Sequence, residues 1–260
     1  MGIDNAGRRG WTTILVAGLA VSGCSDASSE ADQERSAWER AAEENEAGKA
    51  DDNGCSGVLV PDRNGFGKRV ALTFDDGPNP TTTPKVLDIL ARHDIRATFF
   101  INGSRVSSDA HRAVLTRIVD EGHILANHSH RHKNLSTLSG DSVDNEIRQT
   151  HEIIAGFVDA PRFFRFPFGA STCGTARQVR DFDLVVTGWH VDSADWCYAK
   201  GTGGVGFCHP DTFKWVPDQH RDDMVGYTVG QVQAKGGGVV LFHDIHANTV
   251  ANLEPIIERL

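Results

Sequence analysis

His128 and His132 stand four residues apart in the run Asn127-His128-Ser129-His130-Arg131-His132. If that loop enters a helical turn, the two imidazoles share one face and reach a single metal ion. Most histidine pairs are solvated or hydrogen-bonded, and His130 is a spare histidine in the same loop, so a third donor is needed. Thr73-Phe74-Asp75-Asp76-Gly77-Pro78 supplies two carboxylates. Adjacent acids in a turn are more often a solvated corner or a helix cap. After a wholly apolar strand they are better placed for a site. Their side chains point in different directions, so one acid can bind metal while the other faces a bound water.

The elements that must carry these residues alternate in type. Apolar runs at Val70–Phe74, Ala97–Ile101, Ile124–Ala126, Arg162–Phe166, Leu184–Thr187, Trp189–Val191 and Val239–Phe242 read as strands. Helices are expected over Lys85–Arg92 behind a Thr83-Pro84 cap, Asp109–Glu121 stopped by Gly122, Asp141–Phe157 capped by Asp141, Thr175–Asp181, Met224–Lys235 and Asn248–Leu260. Such alternation means a parallel sheet or barrel. Asp75-Asp76, His128, Arg165–Phe168, Asp192 and His243-Asp244 each fall at or just past the end of an expected strand. In a parallel barrel those ends converge on the face where active sites are built.

The chain has 260 residues and a formal net charge of −9, a globular composition. Residues 25–53 carry −7 of that charge, so the body is nearly neutral. This balance argues against a nucleic-acid partner, which calls for a basic face. At the N-terminus, Arg8-Arg9 precede an apolar run from Trp11 to Gly23 that is too short to span a bilayer but fits a secretory signal. It ends in Val21-Ser22-Gly23-Cys24, which resembles a bacterial lipobox. Residues 1–23 are thus expected to be a lipoprotein signal, with lipid on Cys24 as the membrane anchor. By analogy, Ser25 favours the outer membrane, facing the periplasm. Residues 24–53 read as an acidic, solvated linker, and 54–260 as one domain. In an exported protein, Cys55, Cys173, Cys197 and Cys208 imply two disulfides of open connectivity. A zinc site of four thiolates is the weaker rival, because no C-x-x-C pair occurs.

Thr73–Pro78 matches the TFDDGP motif of the polysaccharide deacetylases, carbohydrate esterase family four, with the nodulation-type deacetylase domain. His128-Ser129-x-x-His132 resembles its HSxxH motif, Arg165–Gly169 its RxPY motif, Asp192–Trp196 its DxxDW motif, and Leu241–His243 its LxH motif. All five occur in family order across about residues 68–260. The resemblance implies an α/β fold, a distorted parallel (β/α) barrel of about seven strands. It also implies a divalent metal on Asp76, His128 and His132, which suit Zn2+ and also Co2+ or Ni2+. Asp75 would be the general base, held ionised by Arg165. His243 would be the general acid, with Asp192 behind it. Phe168 would offer its backbone N–H to the oxyanion, and Trp196 with Leu241 would enclose the acetyl methyl. The family's usual Tyr is Phe168 here and its usual middle Pro is Phe166. A Cys173–Cys197 bridge between two site loops competes with Cys197–Cys208 closing the loop at Lys200–Phe207.

The implied reaction is metal-dependent removal of N-acetyl groups from N-acetylglucosamine units of a polysaccharide, peptidoglycan first and chitooligosaccharide next, by a monomer. The alternatives are O-deacetylation of a glycan such as xylan, an inactive carbohydrate-binding lipoprotein, and a non-haem iron oxygenase. The paired Asp75-Asp76 and His243 fit hydrolysis better than oxygenation. His93, His111 and His151 are expected at the surface. Trp189 and Trp215 are expected to stack on sugar or to pack in the core. Asp244 and His246 would support His243 without being catalytic.

Overall fold

The computed structural model describes residues 68–199, 208 and 216–260. The signal, the Cys24 anchor, the acidic linker, Cys55, His209 and Trp215 lie outside the described residues. Seven strands form one sheet: β1 (Val70–Asp75), β2 (Thr98–Ile101), β3 (Ile124–Asn127), β4 (Phe163–Phe164), β5 (Val185–Val186), β6 (Val191–Asp192) and β7 (Gly238–His243). Their order is β5-β4-β3-β2-β1-β7-β6, every neighbouring pair is parallel, and the sheet curls into a half-barrel. The central strands are buried along nearly their whole length, as expected where helices and loops cover both faces. Phe74 of β1 stacks between Phe99 of β2 and Phe242 of β7, with ring centroids 5.1 and 5.6 Å apart.

The edges are shorter than the apolar runs predict. Arg162–Phe166 narrows to the two residues of β4, which pairs with β3 only through Asn127 and Phe164. Pro167, without an N–H, then turns the chain. Leu184–Thr187 narrows to β5, and the run at Trp189–Val191 pairs only from Val191 onward. Two-residue edge strands leave few open backbone groups.

Among the described residues seven α-helices accompany the strands: α1 (Thr83–Arg92), α2 (Asp109–Asp120), α3 (Asp141–Ala155), α4 (Cys173–Arg180), α5 (Asp195–Tyr198), α6 (Met224–Lys235) and α7 (Ala247–Ile257), the last following β7. Two caps differ from expectation. Gly140 is the N-cap of α3, and Asp141 lies in its first turn, where a negative charge meets the helix dipole. Thr82 precedes α1, while the Thr83 hydroxyl accepts from Asn79 N and donates to Asp244 instead. Helix α4 starts earlier than its apolar pattern, at a capping box of Thr172 and Thr175.

Cys197 bonds to Cys208. This rules out both the Cys173–Cys197 bridge and the four-thiolate zinc site. Among the described residues no helix is long and apolar enough to cross a membrane.

Candidate metal and acid–base site

The site sits at the C-terminal edge of the sheet. Asp75 ends β1 in register with Phe100 of β2 and His243 of β7. Asp76 follows with φ 72°, a left-handed conformation that reverses the chain at once. Gly77 then passes so close to Asp244 that an added Cβ would lie 2.5 Å from its Oδ2, so the turn needs glycine. Asn102 N donates to Gly77 O at 2.8 Å and fixes the turn from the β2 side.

The histidine loop departs from the expected helical turn. After β3, His128 N still donates to Ile101 O. The chain then bends through Ser129 (φ 66°) and His132 (φ 51°). Two left-handed residues do what a helix was expected to do, and the two imidazole centroids end 5.0 Å apart. His128 is buried, and its Nδ1–H is oriented to donate to Arg165 O at 2.8 Å. That bond leaves Nε2 as the free ligand atom. Burial pushes its pKa down to about 3, so the ring is neutral, as ligation demands.

Asp76 Oδ1 lies 3.5 Å from His128 Nε2 and 3.2 Å from His132 Nε2. It is buried and has no hydrogen-bond partner. A buried carboxylate oxygen without a donor, facing two imidazole nitrogens, fits a bound cation. Asp76, His128 and His132 offer ligand atoms within 4.8 Å of one another, the only such group among the described residues.

Arg165 is the largest fully buried side chain. Its Nη1 donates to Asp75 Oδ1 at 2.7 Å and Thr73 Oγ1 at 2.9 Å, and its Nη2 donates to Gly188 O at 2.9 Å. The guanidinium carbon stands 4.0 Å from the Phe100 ring centroid. Burial raises the Asp75 pKa, and Arg165 opposes that rise. Asp75 Oδ2 remains turned toward the site, 3.6 Å from His128 Nε2.

On the far side, His243 ends β7. Its expected partner Asp192 is not there. Asp192 pairs in register with Leu241, two residues short of His243, and its Oδ1 accepts from Ala194 N at 2.7 Å. The partner is Asp195, at the start of α5: its Oδ1 lies 2.7 Å from His243 Nδ1, and its Oδ2 accepts from His243 N at 2.6 Å and Thr249 Oγ1 at 2.7 Å. Ala194, with φ 55°, swings that acid beneath the ring. Asp195 is the second acid of the DxxDW run. The signal was geometric, since an acid serving a residue two positions further along the sheet must come from beyond the strand end. Burial opposes charge on His243, but Asp195 overrides it and lifts the pKa to about 10.

The Asp195→Asn variant tests this pair. A raised histidine pKa contributes stability that is complete below about 6.5 and is lost as pH rises toward 10. Wild type should therefore lose stability in denaturant melts between neutral pH and 10, and Asp195→Asn should lose little. Equal slopes would rule out the pairing.

Phe168 has φ 61°, is 68 % exposed, and sets its ring 4.6 Å from that of His132. Trp196 is half-buried against the main core, and Leu241 is buried on β7 in register with Thr73. Trp189 packs toward Arg165, 5.7 Å from ring centroid to guanidinium carbon. Asp244 is fully buried on Thr83, and His246 has its ring 5.9 Å from that of His243. His93, His111 and His151 are all half-buried: His93 meets Glu254, His111 lies beside Ser108, and His151 beside Phe182.

A family model described as polysaccharide deacetylase matches residues 62–187. A peptidoglycan-N-acetylglucosamine deacetylase of Bacillus cereus is 38% identical over 130 residues, 49% of this chain and 46% of that protein. A second protein of that name from Bacillus cereus is 31% identical over 198 residues, 74% of this chain and 82% of the relative. Among solved structures, a mutant of a CE4-family pseudoenzyme of Bacillus anthracis, with restored enzymatic activity, aligns at TM-score 0.58 and 28% identity, covering 74% of this chain and 62% of that one. The chain spans less than half the length of the first of these relatives. The second relative aligns over most of both proteins, and with the family model it shows that the chain belongs to the polysaccharide deacetylase family.

Proposed function

We propose that this chain is a metal-dependent hydrolase that removes N-acetyl groups from N-acetylglucosamine residues of an envelope polysaccharide, peptidoglycan first and chitooligosaccharide next. The observation that carries the reading is the Asp76, His128 and His132 cluster, set between a buried Asp75–Arg165 pair and a part-buried His243–Asp195 pair. The names of the relatives support the substrate. A fold shared with a pseudoenzyme does not guarantee turnover; the metal-ligand cluster and its two flanking ion pairs support the active reading.

Asp76, His128 and His132 would hold a divalent cation, Zn2+ by donor type, with Co2+ or Ni2+ also accommodated. Once bound, it supplies Lewis acidity to the acetyl carbonyl and acidifies water. Asp75 removes a proton from the attacking water as its oxygen bonds to the carbonyl carbon. Arg165 holds the Asp75 carboxylate on one oxygen and leaves the other for that proton. The Phe168 backbone N–H would donate to the developing oxyanion, and Trp196 and Leu241 would enclose the methyl. His243, kept protonated by Asp195, gives its proton to the nitrogen as the carbon–nitrogen bond breaks, releasing acetate and a free amine. Asp192 Oδ1 accepts from Ala194 N and so shapes the turn that delivers Asp195.

The Arg8-Arg9 signal and Cys24 support export and lipid anchoring at the outer membrane, with the acidic linker carrying the domain into the periplasm.

The test is acetate release from peptidoglycan, chitooligosaccharide and acetylxylan. Each is assayed on protein as purified, after chelation, and after adding back Zn2+. Release from the first two, abolished by chelator and restored by Zn2+, is expected. Release from acetylxylan alone would make it an O-acetyl esterase. No release from any of them would favour a binding protein.

A further inference from the structure

The loop bearing both imidazoles has a backbone that side-chain-bearing residues disfavour, with Ser129 and His132 both at positive φ. Neighbours must therefore hold it in place. Gly103 N donates to Ser129 O at 3.1 Å and Ser104 N to His130 O at 2.8 Å, both from the 3-10 turn after β2. The Asn127 side chain accepts from Ser129 N at 2.8 Å and donates to Ile147 O at 2.9 Å.

The remaining tie comes from α3. Glu146 lies on its buried face, 5% exposed, and its Oε2 accepts from Arg131 N at 2.7 Å. The Arg131 N–H belongs to the His130–Arg131 peptide, so this bond fixes the chain one residue before His132 and limits where the second imidazole can point. Lys133 Nζ stands 3.9 Å from Oε1 and is half-exposed, a weak counter-charge. A buried carboxylate is a costly way to pack a helix, and an apolar side chain would pack at lower cost. What Glu146 adds is a strong acceptor aimed at one loop N–H.

We propose that Glu146 is a positioning residue for the cation: by accepting the Arg131 N–H it keeps His132 at ligand distance from Asp76 and His128. The inference rests on the metal-site reading above. Outer groups that orient ligands commonly change metal affinity by about 10- to 100-fold when removed.

The experiment measures the Zn2+ dissociation constant of the full chain by competition with a chromophoric chelator, well below the melting temperature. The visible spectrum of the Co2+-loaded protein reports ligand geometry. Glu146→Ala should weaken Zn2+ binding by about 10- to 100-fold and alter the Co2+ bands. Glu146→Gln, which keeps an acceptor oxygen, should stay close to wild type. Glu146→Met keeps the packing volume without that oxygen and should behave like Glu146→Ala. If wild type itself binds no Zn2+, the metal reading falls. If wild type binds and folded Glu146→Ala or Glu146→Met binds equally well, the positioning role alone falls. A Gln variant as weak as Ala would also overturn it, since charge and not the acceptor would then matter. If neither Ala nor Met folds, Glu146 serves the fold and the proposal is withdrawn.

Discussion

Asp75→Asn is expected to slow acetate release by about 100- to 10,000-fold while leaving the metal content unchanged. That range is what a positioned general base contributes. The amide has the shape of the carboxylate and keeps an oxygen for Arg165 Nη1, so the site geometry survives. What it cannot do is take a proton. The substitution also leaves Arg165 as a fully buried cation without its counter-charge. Removing one partner of a buried ion pair costs about 3–5 kcal/mol. Here the loss should fall below that, because Thr73 Oγ1 and Gly188 O remain as acceptors. A lower melting temperature with near-zero turnover and full metal content is the signature sought. Elemental analysis beside a thermal melt and an acetate assay would provide it. Retained turnover would remove Asp75 from the mechanism.

The pH profile of the wild type should agree. Asp75 must be ionised to act as a base, and burial raises its pKa, so activity falls on the acid side sooner than an exposed aspartate would dictate. His243 must be protonated, and with a pKa of about 10 it fails only on the far alkaline side. The result is a plateau bounded by the two groups.

Much of this arrangement is legible in the sequence, because a parallel sheet leaves a simple trace. β1 is apolar but for Thr73 until Asp75, and β7 is apolar until His243, so a change of chemistry marks the strand end in both. Motif order adds the partners. Backbone handedness is harder to read. Nothing in Asn-His-Ser-His-Arg-His announces that Ser129 and His132 adopt positive φ, since neither residue is glycine. A helical turn was the simpler way to bring two imidazoles together. The same gap hid Asp195. Choosing between the two acids of Asp-Ser-Ala-Asp requires knowing that Ala194 is left-handed and that Asp192 stops level with Leu241. Glu146 was hidden for another reason. On a helix expected to be amphipathic, an acid reads as solvent-facing, and only packing against the histidine loop buries it. Position along a strand follows from local pattern, whereas pairings between loops depend on tertiary contacts.

His128→Ala is expected to lose metal and activity together, in contrast to Asp75→Asn. His128 Nε2 is one of three donors, and catalytic zinc sites ordinarily rest on three protein ligands. With it gone, Asp76 and His132 alone should leave purified protein with metal near background. Stability supplies a readout independent of turnover. A ligand that binds only the folded state stabilises it by about 2.7 kcal/mol at one hundred times its dissociation constant. Added Zn2+ should therefore raise the melting temperature of wild type and of Asp75→Asn, and leave His128→Ala unmoved. The variant should also melt lower than metal-free wild type, because Arg165 O loses the Nδ1–H donor and the buried ring leaves a void. These two variants assign separate work to neighbouring groups: proton removal to Asp75, and cation binding to a cluster in which His128 is one ligand. Stoichiometric metal and undiminished acetate release in His128→Ala would break that division, because the cluster would then hold its ion without its most deeply buried ligand.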